Sequence, residues 1–308
     1  MKKLWVTSVA AATATLALGA PTAYGQTVAT SKAAANQTLL QPLHTTRWRW
    51  ASQNPPTRME PVATHICLVT KVSGKFAGYG ERVGLSIDTG ATGGARWVLN
   101  GTSGQQQLAI EATCAPKAQF VTKTAFTMNA TVLPAQNHNK CVPKTTLYKT
   151  DASQALFLAG LAGKFGGGGE AVIVDEKTMV MHGCSGAVEG SALVVRASPL
   201  RVYRTQTGRT PFAKDSTYTI GISQPKDHWL WGEPYYKEGE RKVFLVPADE
   251  ALCGLTRVQG NFQGYGESAA VDAEKGPDGR LWWVLSAGTL ASASTTTAGA
   301  RCLARDQR

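Results

Sequence analysis

Apolar and polar positions alternate in two widely separated parts of this chain. In residues 70–76, Val72 and Phe76 take one face, and Lys71, Ser73 and Lys75 take the other. The same order returns far downstream, with Val258 and Phe262 set against Arg257, Gln259 and Asn261. Period two over such lengths predicts half-buried strands. A second strand follows each time: Val83, Leu85 and Ile87 alternate, matched by Val172 and Val174 and by Ala269 and Val271. A third, Trp97-Val98-Leu99, matches Trp283-Val284-Leu285, each set beginning 21 residues after its phenylalanine. A last strand runs from Leu108 to Cys114. Four successive strands predict a meander.

Between the first two strands lies a motif that occurs three times. Gly74-Lys75-Phe76-Ala77-Gly78-Tyr79-Gly80-Glu81 returns around Phe165 and again around Phe262, in the shared frame G-x-F-x-G-x-G-E. The phenylalanines are 89 and 97 residues apart. The pattern predicts an all-β chain of three tandem repeat units of about 90 residues, each a small antiparallel β-sandwich or barrel built on a four-stranded meander. A pseudo-threefold packing is compatible with this, whereas a β-trefoil fits less well, because its units are about half as long. The expected divisions are a signal peptide (1–25), a flexible leader (26–46), unit 1 (47–116), a divergent unit 2 (117–204) and unit 3 (205–308). The two later glycines of the frame are expected to supply left-handed turn conformations.

The first residues add a compartment. Lys2 and Lys3 precede an apolar run to Leu18 and then Ala23-Tyr24-Gly25, the layout of a secretory signal cleaved near Gly25. Removal of those two lysines lowers the formal net charge from +11 to +9. No later apolar stretch reaches spanning length, so no transmembrane segment is expected in the mature chain. A secreted or periplasmic location agrees with six cysteines. Cys67 and Cys253 each stand nine residues before a motif phenylalanine, and Cys114 and Cys302 close their units. The expected bridges are therefore Cys67–Cys114 and Cys253–Cys302, leaving Cys141–Cys184 in the middle unit, where Leu156 takes the opening cysteine position.

Candidate chemistry is sparse. Glu81, Glu170 and Glu267 hold one position in the three frames, either as a ligand site or as acceptors for the amides of their own glycine turns. Trp48 and Trp50, and again Trp229 and Trp231, form W-x-W pairs whose members share one strand face, either core or a stacking platform for sugar rings. Tyr79 and Tyr265 occupy the turn tips, where the middle unit has Gly168. The run from His182 to Ala187 resembles a serine-protease nucleophile loop, but in register it is a turn, with Ser185 as a turn residue. Residues 160–165 lack the spacing of a phosphate loop. The five histidines show no ligand spacing and no C-x-x-C occurs, so neither metal nor cofactor is expected.

These features point to an exported, non-enzymatic binding protein of the cell envelope or extracellular space, recognising anionic polysaccharide or cell-surface glycan. Scattered basic residues without a dense run argue against nucleic acid. The alternatives are a secreted hydrolase with its site in the divergent middle unit, or a structural envelope or appendage component.

Overall fold

The computed structural model describes residues 43–104, 107–120, 129–132, 136–138, 142–149, 154–166, 170–174, 178–183, 188–196, 202–203, 218–222, 240–264, 266–276, 278–288 and 296–305. Apart from a three-residue 3-10 turn at Lys117–Gln119, the regular elements described there are all strands. They are β1 (Thr46–Ala51), β2 (Thr57–Pro61), β3 (His65–Ser73), β4 (Arg82–Asp88), β5 (Arg96–Thr102), β6 (Ala109–Pro116) and β7 (Asn129–Val132). Next come β8 (Gln136–His138), β9 (Val142–Lys149), β10 (Gln154–Gly163), β11 (Ala171–Val174), β12 (Thr178–Gly183) and β13 (Val188–Arg196). The rest are β14 (Val202–Tyr203), β15 (Tyr218–Ile222), β16 (Glu240–Pro247), β17 (Ala251–Gly260), β18 (Ser268–Lys275), β19 (Leu281–Gly288) and β20 (Thr296–Ala304).

All the pairings are antiparallel, and they form three sheets. Sheet A runs β1-β6-β3-β18-β19-β16; sheet B runs β2-β5-β4-β10-β13-β7, with β8 also on β13; sheet C runs β14-β20-β17-β11-β12-β9, with β15 also on β20. Each sheet therefore takes strands from two motif-bearing segments. The expected self-contained meander does not form: β3 pairs with β6 and β18, whereas β4 pairs with β5 and β10. The pairing passes from segment to segment in a cycle, β4 to β10, β11 to β17, and β18 back to β3.

The three strands that lead into the motif explain this arrangement. Ile66 to Thr70, Ala155 to Leu161 and Ala251 to Thr256 are buried on both faces, and β3, β10 and β17 pack against one another at the centre. A strand apolar on both faces cannot lie on the outside of a small independent sandwich; it must be enclosed by neighbouring sheets. Each of the three also carries a bulge at one equivalent place. The register steps from Val69 to Lys71, from Leu158 to Gly160 and from Leu255 to Arg257, skipping Thr70, Ala159 and Thr256. All three skipped residues lie six positions before a motif phenylalanine and are fully buried. An inserted residue bends its strand and increases the local twist.

The cysteines and tryptophans hold matching positions. Cys67–Cys114 and Cys253–Cys302 are disulfide-bonded between directly opposed residues of β3–β6 and β17–β20. In the middle segment the same cross-strand position is filled by Leu156 opposite Val194, an apolar pair in place of a bridge. Cys141 and Cys184 lie outside the described residues. Trp97 Nε1 donates to the carbonyl of His65 (3.0 Å) and Trp283 Nε1 to that of Ala251 (2.6 Å), in both cases eleven residues before the motif phenylalanine. The expected signal peptide (1–25) and residues 26–42 of the expected leader (26–46) lie outside the described residues; the leader's last residues are described, and Thr46 already belongs to β1. Among the described residues no helix is long and apolar enough to cross a membrane.

Candidate functional site

The motif builds a ring of backbone and side-chain contacts at the centre of the molecule. Phe76, Phe165 and Phe262 are fully buried and meet edge to face, with centroids 5.5, 6.0 and 6.0 Å apart. That geometry sets the positive ring edges against the negative faces. Their backbones are linked in a cycle: Phe76 N donates to Phe262 O (2.7 Å), Phe165 N to Phe76 O (3.0 Å) and Phe262 N to Phe165 O (2.9 Å). A second cycle runs outside the first. Gly74 N donates to Glu267 O (3.0 Å), Gly163 N to Glu81 O (2.9 Å) and Gly260 N to Glu170 O (2.9 Å). The polar backbone of each motif is thus satisfied by another motif, so the segment is not a hairpin turn.

Two kinds of glycine are needed here, and for different reasons. Gly74, Gly163 and Gly260 adopt φ of +104°, +104° and +120°, a conformation that side chains resist. The later frame glycines were expected to do this; Gly78, Gly80 and Gly264 do not. Gly78 and Gly264 are needed for space instead. A Cβ on Gly78 would sit 2.7 Å from Glu81 Oε2, and one on Gly264 would sit 2.6 Å from Glu267 Oε2. The glutamate side chain folds back over the glycine three residues before it, which accounts for the G-x-G-E spacing.

That folding decides what the glutamates can do. Glu81, Glu170 and Glu267 are 5%, 1% and 1% exposed, and Glu81 Oε2 has no hydrogen-bond partner. They are enclosed in the ring and offer no open ligand site at a turn surface. Among the described residues, no group of three or more His, Cys, Asp or Glu is placed to hold a metal.

Gln263 differs from its counterparts in the other two motifs and carries no signal in the shared frame. Its Nε2 donates to Phe76 O (3.1 Å) and Phe165 O (2.9 Å), a tie to both other motifs from the position held by Ala77 and Gly166 in the other segments. The sequence marks it only as a departure from small residues at that place.

The aromatic candidates separate clearly. Trp50 is 2% exposed, donates from Nε1 to Asn54 O (2.9 Å) and has no face for a ligand; Trp48 is partly buried and packs against the same core. Trp50 is therefore a core residue, whereas Trp48 keeps part of its surface exposed. Tyr79 is 63% exposed, on a loop pinned at one end by Phe76 and at the other by Glu81. Arg82, at the start of β4, is also exposed. Tyr265, Gly168, Ser185, Trp229 and Trp231 lie outside the described residues.

Several ion pairs join strands of sheet A and the turns at their ends. Arg47 bridges Glu111 on β6 and Asp272 on β18, joining the first and third segments, and Arg49 also approaches Glu111 (3.7 Å). Burial works against the Arg47 charge, but the neighbouring Asp272 and Glu111 carboxylates outweigh it and hold its pKa above the ordinary guanidinium value. Lys242 pairs with Glu274 (2.7 Å), and Arg280 with Asp249 (2.7 Å) and Glu250 (3.0 Å). Comparison with known proteins gives no match to a protein-family model, a curated protein or a solved structure.

Proposed function

We propose that the protein is an exported, non-enzymatic binding protein whose three motif-bearing segments are copies of one unit of about 90 residues. In this reading it binds anionic polysaccharide or a cell-surface glycan in the cell envelope or extracellular space. The observation that supports it is the exposed Tyr79 on a loop whose two ends are locked into the central ring. A fixed aromatic tip loses little freedom when it stacks on a ligand. The exposed Arg82, three residues further along the chain, and a formal net charge of +11 on the whole chain favour an acidic partner. The ring itself supplies rigidity, and its buried glutamates belong to that scaffold.

The test is surface binding of the full mature chain to immobilised alginate, lipopolysaccharide and peptidoglycan, at about 50 mM and about 500 mM salt. Wild type binds at least one surface, more weakly at high salt. Tyr79→Ala combined with Tyr265→Ala lowers the salt-resistant part, and Arg82→Ala the salt-sensitive part. Unchanged binding in the double tyrosine variant at both salt levels removes the loop tips from the site.

A further inference from the structure

The outer face of sheet A carries a second aromatic surface, remote in sequence from the Tyr79 loop. Phe244 on β16 and Trp282 on β19 are both half-buried and meet edge to face, with centroids 6.3 Å apart. Strand alternation places them opposite the core: Val243, Leu245, Trp283 and Leu285 point inward and are buried. Trp282 is held in place twice over. Its Nε1 donates to Asp278 Oδ1 (2.8 Å), and its indole lies over Gly276, where a Cβ would come within 2.3 Å of Trp282 Cδ1. The glycine in this hairpin is required by the tryptophan.

Beside the two rings runs an ion pair. Glu274 is directly opposite Trp282, Lys242 is two residues from Phe244, and the Lys242–Glu274 bridge (2.7 Å) spans the intervening β19. Val284 lies between them in the register and is fully buried although it faces outward. The surface therefore offers fixed aromatic faces next to a donor and an acceptor. The charges on it are matched: Lys242 by Glu274, Asp272 by Arg47, and Arg280 by Asp249 and Glu250. A polyanion gains little from such a balanced face.

We infer that this face binds a neutral pyranose of an oligosaccharide. The apolar C–H face of the sugar stacks on the Trp282 indole and its edge meets Phe244, whose ring stands nearly perpendicular to the indole, while Lys242 and Glu274 hydrogen-bond its ring hydroxyls. This site is independent of the Tyr79 loop and does not require an acidic ligand.

The experiment is isothermal titration of the full mature chain with cellotetraose, maltotetraose and chitotetraose, in parallel with the indole N–H spectrum of the 15N-labelled protein. At least one sugar binds, with an affinity unchanged between about 50 and about 500 mM salt. Trp282→Ala weakens it at least about tenfold, as loss of a central aromatic anchor does. Tyr79→Ala leaves it unchanged. The wild-type Trp282 indole resonance, assigned with Trp282→Phe, shifts on titration, which keeps the proposal testable if Trp282→Ala folds poorly. Absence of binding to all three sugars overturns it. So does an unmoved Trp282 resonance, or a loss of binding in Tyr79→Ala instead.

Discussion

Alanine placed at each of three glycines in one motif copy should give three different outcomes. At Gly74, φ is +104° and a Cβ would lie 2.2 Å from the backbone carbonyl oxygen of Gln107. Backbone strain contributes about 1–3 kcal/mol, and forcing the neighbouring chain aside about 1–3 kcal/mol more. A loss of about 4 kcal/mol lowers the melting temperature by about 8–16 °C in a domain of this size. At Gly78 the obstacle is Glu81 Oε2 at 2.7 Å, the end of a side chain that is itself enclosed at 5% exposure, so the cost is about 1–2 kcal/mol. At Gly80 φ is not left-handed and a Cβ meets nothing within 4 Å. Alanine there should be neutral or stabilising by up to about 1 kcal/mol, because it restricts the unfolded chain. Urea denaturation followed by circular dichroism measures all three, provided the slope with denaturant stays constant. A Gly80→Ala variant as damaged as Gly74→Ala would falsify the assignment of left-handed backbone to the first frame glycine.

Four further outcomes follow from the same contacts. Phe165→Ala opens the aromatic triangle and should cost about 3–5 kcal/mol in urea denaturation, and a cost below 1 would show that the ring is not close-packed. Gln263→Ala removes two hydrogen bonds to the other two motifs and should cost about 1–3 kcal/mol, with Gln263→Glu at least as harmful because the carboxylate has no N–H to donate. Replacing both Cys253 and Cys302 by serine should cost about 4 kcal/mol in the chain-entropy view of a loop of 49 residues, whereas a change within 0.5 would argue that the unfolded chain is already compact there. Asp278 is held below the ordinary carboxylate value of 3.8, chiefly by the Trp282 N–H. Its contribution is therefore present above the ordinary value and lost as pH falls through the lowered one. In a carbon-detected NMR titration Trp282→Phe should move the Asp278 midpoint upward, and an unmoved midpoint would break the link.

Local spacing carried much of this architecture. The three phenylalanines that meet at the centre were recognisable from their frame, and the two tryptophans with matched backbone acceptors from their common offset of 21 residues. The two described disulfides followed from the distance of Cys67 and Cys253 to those phenylalanines. Alternation alone did not give the partners of each strand. Val83 and Gly84 look like the second arm of a hairpin with β3, yet they pair with Leu161 and Gly160 of the next segment. The warning was present in Ile66 to Thr70, a run without polar alternation, which marks a strand enclosed on both faces. Paired glycines likewise suggested turn conformations, although Gly78 and Gly264 are demanded by the volume of a glutamate three residues away. Neither Gln263 nor the Phe244–Trp282 surface belongs to the repeat frame, so pattern matching passed over both.

The cyclic pairing has a consequence for how the chain is made. β3 finds its partner on one side only when β18 exists, and Ser73 and Ser268, which pair, are 195 residues apart. At translation rates of about 5–20 residues per second, the edge of β3 waits about 10–40 s for that partner. During this interval an apolar strand with unpaired backbone groups is open to other nascent chains. A chain truncated before β18 would not be a smaller version of the protein: the edges of β3 and of β17 or its neighbours would stay open at the same time. Holding this molecule unfolded until its last quarter has been synthesised would keep it from associating with the wrong partners before the ring can close.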